Sequence, residues 1–201
     1  MDLAVYFDYT CAYSYAAGVW LRQAVKGEPG VVIDWRPFIV REVNRSPSEG
    51  VPFWEQEGAG RTRTGLAFIA GEAAARQGPL AYDRFRSRLQ AAFHVRHLDI
   101  RQPGALEGLA SEAGLDVARF AADRADPGLL REVGRSHEEA VERYGVFGTP
   151  TLVFPNGRAL YLKLAEPPAV GAASRVFALV RELAEEHRFV QEIKVTRQEH
   201  P

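Results

Sequence analysis

The chain has 201 residues, 46% hydrophobic and 25% charged, a composition that excludes a disordered or collagen-like polymer and supplies a core with room for a large insertion. Its 25 Lys and Arg against 26 Asp and Glu leave a formal net charge of -1, so no overall field favours nucleic acid or an acidic membrane surface. A single cysteine, Cys11, excludes an intramolecular disulfide and suits a reducing compartment. No apolar run approaches the ~20 residues of a membrane span, and no basic segment leads into an apolar one at the start. A soluble cytoplasmic protein with no membrane or nucleic-acid partner is expected.

Residues 3–8 (LAVYFD) read as a buried strand ending in the turn-prone Asp8-Tyr9-Thr10. From Cys11 to residue 26 the apolar positions Tyr15, Val19, Trp20, Ala24 and Val25 recur at helical spacing, and Gly27 with Pro29-Gly30 stops the helix. Residues 31–39 form a second strand in which Pro37 indicates an edge or a strand end. Strand, helix, strand within about forty residues is a βαβ unit with parallel strands. Residues 41–65 read as a polar surface connection with a short helical turn around Trp54; Phe53 and Trp54 either cap a substrate groove or anchor the connection to the core.

Five helical segments follow, over residues 66–77, 81–96, 103–113, 116–125 and 127–144, separated by Gly and Pro. Asp116 reads as an N-cap, as does Asp126 with Pro127 in the first helical position. Residues 151–154 and 159–164 are two strands joined at Pro155-Asn156-Gly157, a hairpin signal. A closing helix over 169–187 carries Val170, Val176, Phe177, Val180 and Leu183 on its apolar face. The tail, 189–201, is either a docked strand or frayed. The order is β-α-β, a helical insertion, then β-β-α. The expected fold class is therefore α/β, thioredoxin-like, in a single domain. Its thioredoxin-like parts cover about 1–40 and 145–190, and an all-helical insertion covers about 65–144.

Cys11 directly follows a strand and opens a helix, where unpaired backbone N–H groups and the positive end of the helix dipole stabilise a thiolate. The opposing reading is an inert packing cysteine. Gly148-Thr149-Pro150-Thr151 stands before the third strand, where a cis X-Pro bond would leave the Thr149 backbone open to an extended substrate segment. His94 and His97 have a spacing compatible with a metal but lack further ligands, so no metal site is expected. The basic clusters Arg61/Arg63 and Arg84/Arg86/Arg88 read mainly as solvated helix faces, with a carboxylate or phosphate ligand as the sharper alternative.

Two stretches, Phe7-Asp8-Tyr9-Thr10-Cys11-Ala12-Tyr13-Ser14-Tyr15 and Val146-Phe147-Gly148-Thr149-Pro150-Thr151-Leu152-Val153-Phe154, resemble the DsbA-like thioredoxin superfamily. The nearest likeness is to its cytoplasmic oxidoreductase branch, with kappa-class glutathione transferases and 2-hydroxychromene-2-carboxylate isomerases as relatives. The resemblance implies Cys11 as nucleophile, with Ala12, Tyr13, Thr149 and Pro150 as the substrate-binding surface. The oxidoreductases of this group carry C-x-x-C, whereas Cys11-Ala12-Tyr13-Ser14 is C-x-x-S, so only monothiol chemistry with an external thiol is open. Ser14 is expected to donate a hydrogen bond to the Cys11 sulfur. No tightly bound cofactor is expected; glutathione or another low-molecular-weight thiol is the implied co-substrate. The partner is a disulfide-containing protein or a small molecule, and a homodimer is compatible with this reading. The alternatives are a thiol-dependent transferase or isomerase and a redox-inactive binding module.

Overall fold

A computed structural model describes residues 1–28, 30–46 and 50–194. The expected turn residue Pro29 and the tail residues 195–201 lie outside the described residues.

The sheet is built on β1 (Asp2–Phe7), whose run of apolar residues is buried because strands cover it on both edges and helices on both faces. β2 (Val32–Pro37) pairs with it in parallel, Asp2 opposite Val32 and Phe7 opposite Pro37. β3 (Thr151–Val153) pairs with the other edge antiparallel, and β4 (Ala159–Tyr161) pairs antiparallel with β3, giving the order β2-β1-β3-β4. Pro37 is the last residue of an edge strand, where its missing N–H leaves no gap in the ladder. Side chains alternate along a strand. Leu3, Val5 and Phe7 accordingly enter the main core, while Tyr6 points to a smaller cluster with Phe38, Ala140, Val146 and Val153.

On the main-core side, α1 (Ala12–Ala24) and α8 (Val170–Glu185) pack together through Trp20 and Phe177, whose ring centroids are 6.3 Å apart. The Trp20 indole N–H donates to the Ala173 carbonyl at 3.0 Å, so the largest side chain of α1 is buried with its polar atom satisfied. Val170, expected on the apolar face of α8, is exposed: it is the first residue of the helix and precedes the turn that reaches the core. In the hairpin, Gly157 takes φ 81°, the left-handed geometry that glycine adopts without strain, and residues 154–158 close the loop between the paired ends Val153 and Ala159.

Between β2 and β3 the chain forms α2 (Val40–Val43), a single-turn helix at Phe53–Glu55, α3 (Arg63–Ala75), α4 (Pro79–His94), α5 (Ala105–Glu112), α6 (Val117–Arg124) and α7 (Leu129–Tyr144). α3 lies at the centre of this group, against α4, α6 and α7. Its buried face of Ala67, Ala70, Gly71, Ala73 and Ala74 is small enough for close approach on several sides. At Gly71 a Cβ would sit 2.2 Å from the Tyr9 hydroxyl, so only glycine admits the tyrosine of the β1–α1 loop into the helical layer. Phe53 is fully buried and Trp54 packs on Gly134 and the His137 ring, which makes the pair an anchor for the polar connection.

Asp116 caps α6 as expected, accepting from the Arg119 amide at 3.0 Å. Asp126 does not cap α7. Its carboxylate instead accepts from the Gly128 amide at 2.8 Å, a two-residue turn that delays the helix to Leu129. Among the described tail residues, 189–194, no strand forms. No helix of the described residues is long and apolar enough to cross a membrane.

Candidate functional site at the start of the first helix

The β1–α1 loop is held by the buried carboxylate of Asp8. It accepts from the Thr10 amide and hydroxyl, each at 2.8 Å, and from the Val40 amide at 3.0 Å. Burial pushes this carboxyl above its ordinary range, and the bonds from Thr10 and Val40 pull the other way. Cys11 closes the loop by donating its amide to the Asp8 carbonyl at 3.2 Å, and it occupies the N-cap position of α1 with extended backbone, φ -85° and ψ 117°. Its side chain makes no capping bond, so the amides of the first turn, which have no partner within the helix, receive none from it. The residue is partly exposed. That combination of access and positive helix end is the environment a nucleophilic thiol needs.

The Thr149–Pro150 peptide bond is cis. The Cys11 thiol donates to the Thr149 carbonyl at 3.5 Å, which joins two motifs 138 residues apart in sequence. Ala12 and Tyr13 are exposed next to the sulfur, whereas Thr149 and Pro150 are buried under the loop. The six site residues therefore divide into a partly open thiol with two exposed neighbours, a buried backbone acceptor with its proline, and Ser14.

Ser14 departs from expectation. It is fully buried, and its hydroxyl accepts from the Asp8 amide at 3.3 Å. No Ser14–Cys11 bond occurs among the hydrogen bonds of the described residues. The physical reason is the rotation of α1: the face carrying Ser14, Ala17 and Leu21 turns into the protein, so the third residue after Cys11 points back at the β1 loop. Ser14 thus braces the loop that carries the thiol.

His94 ends α4, and its ring nitrogen lies 2.9 Å from the Tyr9 carbonyl while the ring stacks on Tyr15 at 5.4 Å. Burial lowers its pKa from the ordinary value. His97 lies beyond the end of α4 with φ 52°, so the two histidines do not share a helix face. Arg86, read from sequence as solvated, is fully buried; its guanidinium stacks 3.6 Å from the Trp35 ring centroid and bonds Gln90 at 2.6 Å and Asp83 at 2.8 Å. Arg63 lies 4.3 Å from the Phe93 ring, and Arg84 donates to the Ala113 carbonyl at 2.7 Å.

Two residues of the quoted motifs, Tyr13 and Phe147, and two that motif reading passed over, Tyr161 and Lys163, complete the surroundings. Phe147 is 63% and Tyr13 40% exposed, and Phe147 meets Tyr161 edge-on at 4.9 Å. Lys163 holds its ammonium 5.1 Å from the Tyr13 ring and 5.4 Å from the Tyr161 ring. The β3–β4 register, Thr151 opposite Tyr161, carries the chain after β4 back to the proline loop, where the Leu162 amide donates to the Pro150 carbonyl at 3.2 Å.

A DSBA-like thioredoxin domain matches residues 2–184 of this chain. The protein belongs to the DsbA-like thioredoxin family. Among curated relatives, an uncharacterized protein of Mycobacterium tuberculosis is 28% identical over 190 residues, covering 89% of this chain and 75% of that protein. A Na(+)/H(+) antiporter NhaA of Herminiimonas arsenicoxydans is 32% identical over 80% of this chain, but the match spans only 21% of the antiporter. Solved structures of the same fold include the cytosolic disulfide reductase DsbM from Pseudomonas aeruginosa with GSH, with a TM-score of 0.61, 21% identity, and coverage of 90% of this chain and 100% of that one. A 2-hydroxychromene-2-carboxylate isomerase superposes with a TM-score of 0.65 at 14% identity, covering 96% and 100%. A probable DsbA oxidoreductase from Streptomyces coelicolor does so with 0.64 at 18%, covering 98% and 94%.

Proposed function

We propose that this DsbA-like protein is a monothiol disulfide oxidoreductase of the cytoplasm that uses a small thiol as co-substrate. The observation that carries the reading is the partly exposed Cys11 sulfur at the start of α1, bonded to the Thr149 carbonyl and without a second cysteine. The Cys11 thiolate attacks one sulfur of a substrate disulfide, the new S–S bond forms as the old one breaks, and the departing thiolate takes up a proton. A small thiolate then attacks the mixed disulfide, leaves joined to the substrate sulfur, and restores the Cys11 thiolate. The glutathione named with the DsbM structure is the kind of thiol this second step requires.

The test is intact-mass analysis after incubation with oxidised glutathione. One glutathione adduct is expected on the native chain, located at Cys11 and released by reduced thiol, and none on Cys11→Ser. Absence of an adduct on the native chain at neutral pH refutes the reading. Thiol-dependent turnover of a small electrophile without an adduct moves the assignment to the isomerase and transferase class, to which the exposed rings of Tyr13, two residues from the thiol, and Phe147, two residues before Thr149, would offer apolar surface. Retained partner binding in Cys11→Ala with no turnover in the native chain identifies a binding module.

A further inference from the structure

Among the described residues no carboxylate pairs with Lys163, and its contacts are with tyrosines. The ammonium rests between the Tyr13 and Tyr161 rings, an arrangement that limits where the long side chain can point. Tyr13 is two residues from the thiol, and the chain beside Lys163 is bonded to the Pro150 carbonyl. Lys163 is thus a positive charge lying over two aromatic rings near the thiol, with no carboxylate partner among the described residues.

We infer that Lys163 is a specificity residue: it takes a carboxylate of the thiol or disulfide that reacts at Cys11, so that anionic partners carrying a short apolar arm are preferred over neutral ones. The exposed faces of Tyr13 and Phe147 lie on the same rim and receive the apolar arm. The Tyr161 hydroxyl beside the ammonium, followed by the Tyr13 and Cys11 charges, holds the Lys163 pKa above its ordinary value, so the cation persists throughout the range in which the thiol reacts. This inference rests on the monothiol reading.

Paired alkylation rates separate the two. Iodoacetate and iodoacetamide both transfer their carbon to the Cys11 sulfur, forming an S–C bond and releasing iodide, and they differ in one negative charge. In the native chain the iodoacetate-to-iodoacetamide rate ratio is expected to exceed that in Lys163→Gln by about three-fold, the scale of an exposed ion pair. Lys163→Glu should lower it further, and raising the salt should narrow the gap between native and variant chains. Both variants change a surface side chain. A ratio unmoved in both overturns the inference, including the case in which both rates fall together, because that pattern means Lys163 acts on the sulfur alone. Inertness of Cys11 to both reagents is a different failure, one that removes the monothiol reading and the inference with it.

Discussion

Replacing Glu72 with Gln should change how stability depends on pH, because Glu72 offsets a second buried group of opposite sign. Burial, with the nearby charge of Glu132, pushes the Glu72 carboxyl up to about 7 from an ordinary 4.5, against a smaller pull from Arg76. The folded chain therefore binds this proton more tightly than the unfolded one. Above pH 7 the ionised group destabilises the fold, and the effect disappears as pH falls to 4.5, a change of about 3 kcal/mol. His137 runs the other way. Its Nδ1 accepts from the Ile39 amide at 3.3 Å, its ring packs on Phe38 at 4.2 Å, and burial lowers its pKa from 6.5 to about 4, with Glu42 opposing.

The unfolded chain binds the His137 proton first, so this group's contribution is complete above pH 6.5 and is lost toward pH 4, again about 3 kcal/mol. Between pH 4.5 and 6.5 the slopes of Glu72 and His137 oppose each other in the native protein. In Glu72→Gln the rising contribution of Glu72 is gone, so as pH falls through that window the variant should lose stability relative to the native chain by about 1.4 kcal/mol per pH unit. The variant should also exceed the native chain in stability at pH 8. Urea unfolding followed by circular dichroism at half-unit pH steps measures both effects. A native-minus-variant difference that stays constant from pH 6.5 to 4.5, or a variant weaker than the native chain at pH 8, refutes the account of Glu72.

Two further substitutions test how the reactive loop is held. Gly71→Ala would place a methyl 2.2 Å from the Tyr9 hydroxyl and should destabilise by roughly 1–3 kcal/mol, read as a lower midpoint in urea; an unchanged midpoint means Tyr9 does not enter the helical layer as described. Asp8→Ala leaves the amides of Thr10 and Val40 without their acceptor and should cost about 1–3 kcal/mol in the same assay, with equality to the native chain as the contrary result.

Hydrophobic patterning and turn signals were enough to place the four strands and the longer helices: β1 and β3 are short continuous apolar runs with buried residues on both faces, Asn156-Gly157 marks the hairpin to β4, and the longer helices repeat apolar residues at the spacing of the face they bury. Details decided by short-range polar competition were less legible. Asp126 has the composition of a cap, yet its carboxylate satisfies Gly128 instead. Ser14 sits one helical turn from Cys11, but whether its hydroxyl meets the sulfur or the Asp8 amide depends on the rotation of α1 against the sheet. Motif reading reached Cys11 and Thr149-Pro150 because both follow strand-linked signals. It passed over Lys163 and Tyr161, whose nearness to the thiol depends on the register of a short hairpin; Tyr161 opposite Thr151 is the pairing that a commitment to register would have exposed. The buried Arg86 was hidden for a related reason, since one guanidinium in an arginine-rich helix looks like its solvated neighbours until Trp35 is placed over it.

The bond from the Cys11 thiol to the Thr149 carbonyl has a consequence for the order of events. The sulfur can donate only while it keeps its proton, so under the proposed function the resting thiol engages the carbonyl that an incoming peptide N–H would approach. Ionisation of the sulfur vacates that carbonyl and sets two electron-rich atoms facing each other, an arrangement relieved when a donor arrives between them. In the proposed reaction the proton of Cys11 would thereby act as a placeholder for substrate: the ionisation that arms the sulfur would be the same event that frees the backbone carbonyl beside it.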